Sequence, residues 1–214
     1  MILHLLVLII PTLVNSQCYS PLSPTWICNG YYQSKNITYE TILNEKKFQN
    51  LIVINHQLPI LTIDRYPLTL RLINASGNEF QSIRITSKNR ETSKLRQLIL
   101  QSNQLEEFAI DTIVLPNSLE KLSLANNRLK ILDARLFSHL KNFLELDVRN
   151  NQLKRILPQL VLNFNVKLDS NPLDCQCTSE AYRIICEKAT TIKQQSVRKN
   201  NLSRLTYIEI DDLG

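Results

Sequence analysis

Glycine is scarce here, with three among 214 residues. Glycine takes positive φ without steric cost, so its scarcity argues against a Gly-hinged, turn-rich β-sandwich. Histidine is equally scarce, at three. His4 falls in an N-terminal apolar run, which leaves only His56 and His139 for acid–base or metal chemistry. No nucleophile-elbow pattern and no metal-spaced histidine pair occurs. The chain is therefore read as a non-enzyme with no cofactor and no metal. No basic run is long enough to favour nucleic acid, despite a net charge of +6. After the first residues no apolar run reaches membrane-spanning length, and the terminal IEIDDLG lacks the hydrophobic tail of a lipid-anchor signal. Cysteine is absent between Cys28 and Cys175.

What is present starts with an address. Ile2 to Ile10 are nearly all apolar, and Val14 and Ser16 suit the −3 and −1 positions of a cut before Gln17. This reads as a secretory signal peptide, although Lys and Arg are missing from its start; an uncleaved anchor is the alternative. Three acceptor sequons fit an extracellular location, at Asn36, Asn74 and Asn201. Apolar residues at 43% and charged residues at 21% are ordinary globular values, enough for one sizeable domain or two small ones.

The middle of the chain is periodic. LRQLILQSNQLEEF, from Leu95, places apolar residues at a spacing that is neither 2.0 nor 3.6, around a polar Asn103. The same template fits from Phe48, Leu70, Leu119 and Phe143, and in its later positions from Asn163. The polar slot holds His56, Asn78, Asn103, Asn127, Asn151 and Asn171 in turn. Starts 20 to 25 residues apart lie in the range of solenoid repeats. A single coil cannot bury its apolar face, so neighbours must stack. In the strand expected at Leu98–Leu100, Leu98 and Leu100 point inward and Ile99 outward. An Asn in the greasy pattern then has a reason. Its amide donates and accepts, and stacked amides can serve the backbone where each coil leaves the strand.

From Phe48 to Cys177 this pattern resembles the leucine-rich-repeat family. The resemblance implies an α/β solenoid: a right-handed horseshoe of about six repeats, with a parallel concave sheet and a mostly irregular convex side. The organisation expected is a leader over 1–16, an N-terminal cap over 17–47, repeats over 48–174, and a C-terminal flanking cap and tail over 175–214. Among the convex returns, Phe137 and Leu140 match the family's return-segment apolar positions. SIRITSKNRETSK reads as a looser segment, and Pro158 suggests an extended one.

Caps are needed because an open solenoid exposes its core at both ends. In a secreted chain the terminal cysteines read as disulfide staples. Cys18 and Cys28 are expected to pair, with Trp26 and Ile27 covering the first repeat. NPLDCQC, from Asn171, resembles the family's C-terminal flanking motif. The following TSEAYRIICEK reads as a helix, with Thr178 as N-cap and Ala181, Ile184 and Ile185 inward. The family's usual cap has two further cysteines, but only Cys186 follows here. One of Cys175, Cys177 and Cys186 is thus left over, as a thiol able to cross-link a partner chain or as a buried free thiol. Eight helical residues advance about 12 Å, so a bridge from Cys175 or Cys177 to Cys186 demands a short or bent helix.

The strand register sets the concave columns. One runs Ile52, Asn74, Ile99, Ser123, Asp147, Lys167, and the next Ile54, Ser76, Gln101, Ala125, Arg149, Asp169. The residues expected to touch a partner are Gln97, Ile99, Gln101, Lys121, Ser123, Glu145, Asp147, Arg149 and Lys167. Their mixed charge suits a protein better than a polyanion. A sugar on Asn74 would sit over the early repeats. The reading is a secreted module binding an extracellular protein or glycan, in innate immunity or adhesion, with some similarity to arthropod leucine-rich immune proteins. An ectodomain of a membrane receptor is the alternative, and a secreted enzyme the remote one.

Overall fold

A computed structural model describes residues 18–22, 24–29, 48–55, 59–63, 68–86, 89–175, 183 and 185–187. Strands β1 (Cys18–Leu22) and β2 (Thr25–Asn29) form an antiparallel hairpin. There follow β3 (Asn50–Ile54), β4 (Ile60–Ile63), β5 (Leu72–Asn74), β6 (Ser82–Ile85) and β7 (Gln97–Ile99). Then come β8 (Glu107–Phe108), β9 (Lys121–Ser123), β10 (Ile131–Leu132), β11 (Glu145–Asp147) and β12 (Asn165–Lys167).

Eight of these make one sheet, in the order β1-β2-β3-β5-β7-β9-β11-β12. Every pair from β2 onward is parallel. Parallel neighbours cannot be joined by a tight hairpin, so each connection must travel round the back of the sheet and return. The result is a solenoid with five returns between β3 and β12. After β5, β7, β9 and β11 the return begins at the polar slot of the repeat, where the backbone leaves the sheet.

The core fills the coil interior. Leu51, Ile73, Leu98, Leu122, Leu146 and Val166 stand side by side in register. All are buried, and Leu98 and Leu146 have no exposed surface. The second inward column, Val53, Ala75, Leu100, Leu124, Val148 and Leu168, is buried as well. The strand of the third repeat is Gln97–Ile99, one residue earlier than the sequence suggests, because Leu100 already begins the exit from the sheet.

The convex side is built from short pieces. β4 pairs with β6 and β8 with β10, both parallel. A 3-10 turn occupies Ala134–Phe137. Asp133 caps it, its carboxylate accepting from the Arg135 N–H. The two return-segment positions noted in the sequence, Phe137 and Leu140, are buried. Phe137, Phe143 and Phe164 pack as a trio with ring centroids 5.0 to 6.3 Å apart.

Three sequence expectations need correcting. The start of SIRITSKNRETSK is not loose: Ser82–Ile85 is strand β6, with Ile83 and Ile85 buried. Its alternation of two apolar residues within four was too short to stand out from its polar neighbours. The fifth return is not extended: Pro158–Asn163 is an α-helix. Proline is tolerated at the first helical position, where its missing N–H has no partner to lose. A bridge to Cys186 does not demand a short or bent helix: Cys175 and Cys186 are joined, with Cα atoms 5.8 Å apart. Cys175 lies in a turn before the helical residues, so advance along the helix axis does not measure its distance from Cys186.

At the other end Cys28 is buried, disulfide-bonded and placed opposite Cys18 in the hairpin register. Residues 1–17, Asn36, His56, Cys177, Thr178, Ala181, Ile184 and Asn201, and the side chains of Trp26 and Cys18, lie outside what is described.

Candidate concave binding face

Two systems lie behind and across the concave sheet. The first is the amide ladder that shapes it. Asn103 Nδ2 donates to Leu100 O at 3.0 Å on its own coil and to Ala75 O at 2.9 Å on the coil before. Its Oδ1 accepts from Phe80 N at 3.2 Å. Asn127 repeats the pattern with Leu124 O, Leu100 O and Leu105 N, and Asn151 with Val148 O, Leu124 O and Leu129 N. Asn171 does the same with Leu168 O, Val148 O and Leu153 N. Asn78 donates to Ala75 O and Val53 O. Asn78, Asn103, Asn127 and Asn151 are buried, where an unpaired amide would be costly.

The residue before each polar slot carries a signal the sequence did not reveal. Asn55, Gly77, Ser102, Asn126, Asn150 and Ser170 have φ between 52° and 66°. This left-handed step swings the chain from strand to return. Only one of the six is glycine; asparagine tolerates the region because its short side chain bonds locally. Asn150 Nδ2 donates to Asn126 Oδ1 at 2.7 Å, linking adjacent coils on the exposed side of the ladder.

The second system is the outward-facing surface itself. The register aligns Ile52, Asn74, Ile99, Ser123, Asp147 and Lys167 in one row. A parallel row holds Asn50, Leu72, Gln97, Lys121, Glu145 and Asn165. Glu145 lies between two lysines, ion-paired with Lys121 at 3.9 Å and with Lys167. Arg149 grips Asp147 with two nitrogens, Nε to Oδ1 at 2.9 Å and Nη2 to Oδ2 at 2.7 Å. That hydrogen bond, more than the added attraction of Asp147, Asp169 and Glu145, holds the Arg149 guanidinium above its usual range. Asp147 is consequently buried beneath Arg149, so of this pair only the arginine offers much surface. Ala125 is buried too. Gln101, Lys121 and Arg149 are exposed, and Gln97, Ile99, Ser123, Glu145 and Lys167 half-buried. Ser123 Oγ donates to Gln101 Oε1 at 3.4 Å. Asp169 closes the face, with Oδ1 buried and without a hydrogen-bond partner among the described residues.

His139 lies on the convex side, its Nε2 3.0 Å from Leu115 O. It therefore ties neighbouring returns together, far from the face just described.

Residues 93–153 match the leucine rich repeat family model. Over 96 residues the chain is 31% identical to PH domain leucine-rich repeat protein phosphatase 1 of Rattus norvegicus, covering 44% of this chain and 6% of that protein. The Homo sapiens counterpart matches at the same identity and coverage. Keratocan of Homo sapiens is 38% identical over 85 residues, 39% of this chain and 23% of that protein. The matched segments thus span under a quarter of each relative, too little to carry over a whole protein's activity.

Proposed function

We propose that this leucine-rich-repeat solenoid is a secreted module that binds an extracellular protein through the later repeats of its concave face. One observation carries the reading. Apolar side chains and asparagine amides are spent on stacking the coils, while the concave rows stay open and carry fixed charge. Glu145 holds Lys121 and Lys167, and Asp147 holds Arg149, so the pattern they present is set before a partner arrives, which limits the ordering cost of binding. Mixed charge in a fixed array favours a protein with complementary groups over a uniform polyanion. The extracellular location rests on the N-terminal apolar run, the three sequons and the cysteine bridges, since disulfides persist mainly in oxidising compartments. No helix among the described residues is long and apolar enough to cross a membrane.

A photoreactive side chain at Ser123, compared with one at the exposed convex Ile131, tests the reading. Incubated with extracellular fluid, the Ser123 variant is expected to trap a discrete protein, and Lys167→Glu to reduce that yield roughly tenfold, equivalent to about 1.4 kcal/mol. Trapping at Ile131 and not at Ser123 would move the interface to the convex side.

A further inference from the structure

The concave sheet is chemically divided. In β3, β5, β7 and the positions that follow them, the outward residues are Asn50, Ile52, Ile54, Leu72, Asn74, Ser76, Gln97, Ile99 and Gln101, and none is charged. In the next three coils, six of the nine corresponding positions are charged: Lys121, Glu145, Asp147, Arg149, Lys167 and Asp169. Asn74 is the middle residue of the uncharged half, with Ile52 on one side and Ile99 on the other.

Asn74 is also the acceptor of an Asn-Ala-Ser sequon. Its side chain is half used. Oδ1 accepts from Ser76 N at 3.1 Å and from Ser76 Oγ at 2.6 Å, whereas Nδ2 makes no hydrogen bond among the described residues. Nδ2 is the atom to which an N-linked sugar is joined. The inward neighbours Ile73 and Ala75 are buried, so alternation along the strand turns Asn74 outward.

We propose that Asn74 carries an N-linked glycan whose first sugars lie over the aliphatic floor made by Ile52, Leu72 and Ile99, reserving the charged half for the protein partner. This deepens the function proposed above and rests on its extracellular location. Sugar rings present C–H faces as well as hydroxyls. They therefore suit a shelf of isoleucine and leucine edged by Asn50, Gln97 and Gln101, with no charge to desolvate. In the folded chain Ser76 Oγ is engaged by Asn74 itself, and β5 is paired on both sides. Attachment therefore precedes closure of these coils, as the chain enters the secretory compartment. The bond formed joins Asn74 Nδ2 to the anomeric carbon of a lipid-linked oligosaccharide; the bond from that carbon to the lipid diphosphate oxygen breaks, the lipid diphosphate departs, and the amide gives up one proton.

The test uses the full chain expressed in secreting eukaryotic cells. Cleavage after Arg71 and Arg84 gives a peptide over 72–84 in which Asn74 is the only sequon asparagine. Enzymatic release of N-glycans should convert Asn74 to Asp in that peptide and leave Asn78 as amide. Ser76→Ala should abolish the conversion. Radical footprinting should then show a several-fold rise in labelling at Ile52 and Ile99 and none at Lys121 or Lys167. Chain recovered from the medium with Asn74 unmodified overturns this inference and leaves secretion standing. Chain modified at Asn74 without protection of Ile52 and Ile99 overturns the shelf. Chain retained in the cytosol overturns the extracellular reading and this inference together.

Discussion

Leu100 O and Leu124 O each accept from two asparagines, one on their own coil and one on the next. The consequence is a specific pattern of coupling. Asn127→Leu orphans one buried N–H, that of Leu105, and should cost about 1–3 kcal/mol. Both carbonyls keep a second donor. Removing Asn103 and Asn127 together strips Leu100 O of both. The double variant should therefore exceed the sum of the singles by about 1–3 kcal/mol. Asn78→Leu with Asn127→Leu shares no carbonyl and should be additive. Denaturation midpoints for the two pairs decide it, and equal behaviour would refute carbonyl sharing. The left-handed step gives a second prediction. Ser102 sits at φ 57° with its side chain exposed. Ser102→Gly removes the Cβ clash but loosens the unfolded chain, for a net gain of about 0.5–1 kcal/mol. A lower melting temperature would show that Ser102 is not strained there.

At the scale of the element, the strands were legible and the returns only partly so. A strand repeats in register with five others, so a weak three-residue signal is amplified by period. Leu122 could be placed from sequence because Leu98 and Leu146 flank it in the same slot. It is buried, and Leu122→Ala should cost about 2–5 kcal/mol, whereas Leu144→Ala, at 57% exposed, should cost little. Returns differ in length and content, so none reinforces another. Pro158 illustrates the problem. Proline suits a first helical turn or an extended segment equally well, and only packing of Leu160 and Val161 into the core selects the helix. The amide slots of the candidate site were legible for the same reason as the strands. The burial of Asp147 under Arg149 was not, because a contact between residues two apart depends on rotamers that no periodic pattern encodes. Which of Cys175, Cys177 and Cys186 pair stayed open for a similar reason: spacing along a helix does not report where a preceding turn lies.

Across the whole molecule, each coil touches chiefly the coils beside it, so stability is transmitted from neighbour to neighbour. The bridge from Cys175 to Cys186 stands at one end of this series. Opening it with Cys186→Ser should cost about 2–3 kcal/mol in the chain-entropy account. The loss should be graded along the chain. Amide exchange should accelerate most in β12, less in β11, and least in β7. Uniform acceleration across all coils would mean that the array melts as one block. The same view explains how two chemistries share one sheet. Rows of side chains three coils apart have no contact through which one half must match the other, so an uncharged half and an ion-paired half coexist.

The doubly used carbonyls also bear on length. Each coil offers its successor the same acceptors that it received from its predecessor, so an inserted copy finds its sockets already cut. An in-frame duplication of residues 119–142, a stretch that begins at one template start and stops just before the next, would lengthen the arc by one rung and widen the surface it displays. Growth by whole periods is thus open to such a gene, while a gain or loss of a few residues inside the strand–ladder stretch is not.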